Sequence, residues 1–171
     1  GSEMCIRDRY SAAAFATKHE DAIYFSKRVT RAVPDGGPIE AHTDLVKKLD
    51  YECELAVVLG RDARDVPAGQ TRDYIFGYTI LNDVSARDVQ TAHKQWYLGK
   101  SLDGFTPIGP CIVTADAFAD YPPRLGIRSF VNGEKRQDSN TALQIFDIDH
   151  VIAELSQGMT LKAGTIIATG T

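Results

Sequence analysis

The chain has 171 residues, 43% hydrophobic and 25% charged, which is enough apolar material for one domain with a sizeable core and too much for a disordered chain. Its formal charge of −4 comes from 19 basic residues scattered among 23 acidic ones, and without a Lys/Arg cluster nucleic acid is not an expected partner. No apolar run reaches membrane-spanning length and no signal-peptide pattern appears, while three widely spaced cysteines, Cys5, Cys53 and Cys111, argue against a disulfide framework or zinc spacing and fit a cytoplasmic protein.

The opening GSEMCIRDR lacks apolar periodicity and resembles translated adapter sequence, so residues 1–9 are expected to be a non-native leader outside the fold. Residues 10–171 are expected to be a partial domain whose C-terminal strands are missing, because GTIIATGT stops as a strand without a cap or tail. Residues 22–28, AIYFSKR, can form a short strand, and PDGGP at 34–38 is a turn cluster. LDYECELAVVLG, residues 49–60, reads as one strand. Leu49, Tyr51, Cys53, Leu55, Val57 and Leu59 share one apolar face; the other opens with Asp50, Glu52 and Glu54 before turning apolar at Ala56 and Val58. YIFGYTILND, residues 74–83, suggests a buried strand interrupted by Gly77. Ser85 with Asp88 matches a capping-box start, and ARDVQTAHKQW can continue it as a helix.

Residues 104–110, GFTPIGP, read as a loop. IRSFVNGEKRQ predicts a hairpin, with Ile127, Ser129 and Val131 alternating against Arg128 and Phe130 before Asn132-Gly133. Ile148, Val151, Ile152 and Leu155 predict an amphipathic helix between Asp147 as N-cap and Gly158 as stop. TIIAT, residues 165–169, predicts a closing strand. Strands outnumber helices without strict alternation, which points to an α+β, β-rich domain rather than a doubly wound sheet.

Glu52 and Glu54 have an ordinary reading, a solvated strand face. Like charges on one face repel, however, unless water, a basic group or a cation lies between them. Asp83 ends an apolar strand, where a buried carboxylate is costly without a partner; its ordinary reading is a helix cap. Together the three would make an all-oxygen site suited to Mg²⁺, with Mn²⁺ or Ca²⁺ as alternatives, and not to zinc. GKS at 99–101 echoes a phosphate loop, but Lys94 stands where that motif needs glycine. No G-x-S-x-G elbow occurs.

DYECELAVVLGR, GYTILNDVSARDVQ, GKSLDGFTPIGP, VNGEKRQDSNT and LSQGMTLKAGTIIATGT stand in an order similar to that of the fumarylacetoacetate hydrolase superfamily, over residues 24–171. The resemblance implies a mixed β-sandwich roll of the catalytic-domain type, a homodimer, and a divalent ion held by Glu52, Glu54 and Asp83. It implies that Lys100 faces the substrate oxygen near the metal as a catalytic residue, serving substrate rather than fold. It places Arg87, Gln90 and Thr171 among the substrate contacts, and Trp96 and Tyr97 beneath the site. The implied substrate is a small 2-oxo acid, whose carboxylate and 2-oxo oxygens can chelate an ion that stabilises an enolate. C–C hydrolysis of an acylpyruvate or fumarylacetoacetate type, or oxaloacetate decarboxylation, is expected first. A 2-oxo-dienoate hydratase or isomerase of aromatic catabolism, or a fragment that binds metal without catalysis, stand as alternatives. Family hydrolases carry an H-x-x-E pair near the N-terminus; here only adjacent His19-Glu20 occurs, so no base is assigned to it. His42, His93 and His150 are expected to be surface or packing residues.

Overall fold

The computed structural model describes residues 3–7 and 21–171. Among these, the largest element is a six-stranded sheet that runs β2-β1-β10-β4-β5-β7. Its strands are β1 (Glu3–Arg7), β2 (Ile23–Lys27), β4 (Cys53–Leu59), β5 (Ile75–Asn82), β7 (Ile108–Thr114) and β10 (Ile166–Ala168). Two short ribbons complete the set: β3 (Leu49–Asp50) with β6 (Ser85–Ala86), and the hairpin β8 (Gly126–Val131) with β9 (Glu134–Asn140). The α-helices among the described residues are few: α1 (Arg87–Ala92), α2 (Tyr97–Lys100) and α3 (Ile148–Ser156). The fold is α+β and rich in strands, as expected. No helix among the described residues is long and apolar enough to cross a membrane.

The core sits on one face of the sheet, where Leu55, Val57 and Leu59 of β4 meet Ile148, Val151, Ile152 and Leu155 of α3. That helix begins as expected, with the Asp147 carboxylate accepting from His150 N at 2.8 Å. The hairpin turn also follows its dipeptide: Asn132 and Gly133 have φ of 52° and 79°, the two positive values a type I′ turn requires.

Six local expectations are corrected. The strand expected over 49–60 is two strands, because β3 leaves the main sheet to pair with β6 (Leu49↔Ala86, Asp50↔Ser85) while β4 pairs with β5 and β10. Ser85 and Asp88 form no capping box: Ser85 is in β6, and Asp88 instead accepts the Lys47 and Lys48 amides. The helix expected over 86–96 stops at Ala92, and β7 begins inside the expected loop at 104–110. β5 is not buried throughout, since Phe76 and Ile80 lie about half exposed. Residues 3–7, set outside the fold by the sequence reading, run as β1 between β2 and β10.

Candidate metal and substrate site

Register explains how residues 29 positions apart come together. Cys53 pairs with Asn82, so the next pair along the ladder is Glu52 with Asp83, and Asp83 N donates to Glu52 O at 2.8 Å. Glu52 N is fixed by Asn82 Oδ1 at 3.0 Å. Glu54 lies two residues further on, inside β4, and Gly170, just beyond β10, donates its N–H to the Glu54 carboxylate at 2.8 Å. One carboxylate oxygen from each of Glu52, Glu54 and Asp83 lies within 4.8 Å of the others. Asp83 is 0% and Glu54 2% exposed, so neither reads as a solvated face, and Asp83 caps no helix.

Basic side chains from other segments neutralise most of this charge. Lys100 Nζ bonds Glu52 Oε2 and lies 2.5 Å from Asp83 Oδ2. Arg87 donates to Asp50 Oδ2 and Glu52 Oε1, each at 2.8 Å, and to Gln90 Oε1 at 3.2 Å. The Asp50 carboxylate is thereby bound to the Arg87 guanidinium, which explains its place in the run. Burial raises the Glu52 carboxyl, but Lys100 and Arg87 outweigh burial and hold it below the ordinary value. Glu54 goes the other way: burial, then the Asp83 and Glu52 charges, push it well above, against weaker pulls from Lys100 and the Gly170 N–H. Among the described residues Glu54 has no ion-pair partner.

This donor set fits a hard divalent cation. It is all oxygen, with no sulfur or imidazole among the three, and the repulsion that burdens Glu54 is what a cation would relieve. Glu52, Glu54, Asp83, Arg87, Gln90, Lys100 and Thr171 line one cavity, with Phe25, Trp96 and Gly170. Thr171 Oγ1 donates to Glu52 Oε1 at 3.3 Å. Trp96 lines the wall edge-on to Phe25, with ring centroids 5.3 Å apart, whereas Tyr97 is half exposed and does not pack beneath. Lys100 differs from the expectation of a residue serving substrate alone, because at 2% exposure its two ion pairs also hold the site together. Gly99 sets its position: a Cβ there would lie 2.6 Å from Gln90 N, so only glycine lets α2 pack this closely on α1. His19 and Glu20 lie outside the described residues.

Sequence reasoning missed Phe25 and Lys27. The signal was present as strand alternation, since Ile23, Phe25 and Lys27 share one face of β2, and a lysine closing such a face is out of place on a surface strand.

Residues 5–171 match the family described as fumarylacetoacetate (FAA) hydrolase, C-terminal. The chain belongs to the fumarylacetoacetate hydrolase family. This family member is 43% identical over 173 residues to the oxaloacetate tautomerase YisK of Bacillus subtilis strain 168, covering 98% of this chain and 57% of that protein. Among solved structures, a fumarylacetoacetate hydrolase from Exiguobacterium antarcticum superposes with a TM-score of 0.84 at 41% identity, covering 99% of this chain and 62% of that one. The fumarylpyruvate hydrolase of Pseudomonas aeruginosa, in complex with Mn²⁺ and pyruvate, gives a TM-score of 0.86 at 26% identity, covering 100% and 77%. The chain spans about half the length of the curated relatives it matches.

Proposed function

We propose that this chain carries the metal and substrate site of an enzyme acting on small 2-oxo acids through an enolate. The observation that carries the reading is the convergence of three carboxylate oxygens within 4.8 Å, with the Lys100 ammonium against two of the three groups. Glu52, Glu54 and Asp83 would hold the ion, Mg²⁺ first and Mn²⁺ or Ca²⁺ as alternatives. Bound there, it supplies Lewis-acid polarisation of the substrate's carboxylate and 2-oxo oxygens. The Mn²⁺ and pyruvate named with the Pseudomonas aeruginosa relative support both the ion class and the substrate class.

The chain's own residues supply the rest. Lys100 Nζ meets the negative charge that develops on the 2-oxo oxygen, in a buried place where such a charge is worth more than in water. Arg87 and Gln90 offer donors to the substrate carboxylate, and Thr171 a hydroxyl. Phe25 and Trp96 close the wall against water. Oxaloacetate decarboxylation and acylpyruvate hydrolysis share this enolate, and hydrolysis asks in addition for an activated water. The name of the Bacillus subtilis relative favours a second reading, in which the enolate is only reprotonated and the reaction is a tautomerisation or isomerisation. A cytoplasmic homodimer belongs to the proposal, on cysteine usage and family resemblance.

The test is an assay of oxaloacetate and an acylpyruvate with Mg²⁺ and with a chelator. Turnover or enol formation that needs the ion is expected. Mg²⁺-independent rates equal to those with ion would overturn the reading, and ion binding without turnover on any of these acids would favour a binding module.

A further inference from the structure

Lys27 closes β2 with only 1% of its surface exposed. An ammonium so deep is costly unless its protons find acceptors. Here they find three: Asp83 Oδ1 at 2.6 Å, the Phe105 carbonyl at 2.5 Å and the Val84 carbonyl at 3.4 Å. The contacts divide the two oxygens of Asp83. Lys27 takes Oδ1, and Oδ2 is left to face Lys100 at 2.5 Å. Phe105 belongs to the segment that follows Lys100, and its N–H donates back to Leu102 O, so the same ammonium also ties down the turn after α2.

Resting on the cation site proposed above, we infer that Lys27 is a positioning residue that holds Asp83 with a single oxygen turned to the ion. Without it, Asp83 keeps only the Lys100 contact on Oδ2, and its carboxylate can turn to offer both oxygens or neither. The role is distinct from that of Lys100, which touches Glu52 as well as Asp83 and lines the cavity; Lys27 pairs with Asp83 and does not line the cavity.

Mn²⁺ is the probe, read by titration calorimetry and by the electron paramagnetic resonance spectrum of the bound ion on the 171-residue chain. Lys27→Met should weaken Mn²⁺ binding by about 10–100-fold, the usual cost of losing a group that orients a ligand, and should alter the bound-ion spectrum. Val57→Ala, in the core on the opposite face of β4, controls for general loss of stability: it should lower the unfolding midpoint and leave affinity and spectrum unchanged. Wild-type affinity and spectrum in Lys27→Met would overturn the inference, as would an equal loss of affinity in Val57→Ala. Should Lys27→Met not fold, Lys27→Gln keeps a neutral amide donor and carries the same test: weakened binding supports the role and wild-type binding overturns it. Glu54→Gln separates the two levels. If it binds Mn²⁺ like wild type, the cation site itself fails and the role of Lys27 with it; if it loses binding while Lys27→Met does not, only the positioning role falls.

Discussion

Replacing Glu54 by glutamine keeps the side-chain shape and removes the charge that the structure leaves least compensated. With carboxylate oxygens within 4.8 Å of one another, each neighbouring charge opposes ionisation of Glu54 by about 3–4 kcal/mol at an effective dielectric constant near 20. Lys100 offsets only part of this, so Glu54 holds its proton well above the ordinary range when no ion is bound. The amide mimics that neutral acid, and the ion-free midpoint of Glu54→Gln should equal or exceed that of wild type. Added Mg²⁺ should separate them. An ion at about 100 times its Kd stabilises the wild type by about 2.7 kcal/mol, or roughly 5–11 °C in midpoint for a chain of this size. In the variant most of that shift should vanish. Thermal unfolding with MgCl₂ and with chelator measures it, and an equal Mg²⁺-induced shift in both proteins would refute the assignment.

The same substitution has a pH signature. A folded value raised above the ordinary 4.5 means that the stability from protonated Glu54 is complete below 4.5 and is lost as pH rises through the folded value. Glu52, held low, acts oppositely and loses its contribution as pH falls through its folded value. Without divalent ion, wild-type midpoints should therefore fall below those of Glu54→Gln as pH rises from 4.5; parallel curves would refute this.

Lys100→Met should cost about 1–3 kcal/mol without ion, because Glu52 and Asp83 lose the ammonium between them but keep Arg87 and Lys27; Mg²⁺ should restore part of the loss, and turnover on an active 2-oxo acid should drop about 10²–10³-fold. Unchanged turnover would make the lysine a purely structural ion pair. Gly99→Ala places a Cβ 2.6 Å from Gln90 N, so it should cost about 1–3 kcal/mol by urea unfolding and displace Lys100. Asp147→Ala removes the acceptor for His150 N and should cost about 0.5–2 kcal/mol while leaving Mn²⁺ affinity unchanged.

Some of the molecule was legible residue by residue. Asn132-Gly133 specifies its turn because two adjacent positive φ values are tolerated by few dipeptides, and α3 announces itself through an N-cap and a 3.6-residue period. Glu52 and Glu54 were visible as neighbours because strand alternation is local. Other features were not. The break between β3 and β4 depends on which distant strand each half meets, and nothing between Leu49 and Cys53 encodes that choice. Ser85 and Asp88 satisfy a local capping rule, yet pairing with β3 and the Lys47 and Lys48 amides claims them first.

The sequence by itself therefore determined the class of fold, the family and the identity of the clustered carboxylates, since all rest on short patterns or on ordered motifs. Only the tertiary structure decided how that cluster is neutralised. Arg87, Lys100 and Lys27 reach Asp50, Glu52 and Asp83 across separations of 17 to 56 residues, while among the described residues Glu54 receives a backbone N–H and no ion-pair partner. Charge balance in a buried site is a property of register and long-range packing, because in a low-dielectric interior the groups that matter are those nearest in space, whatever their distance along the chain.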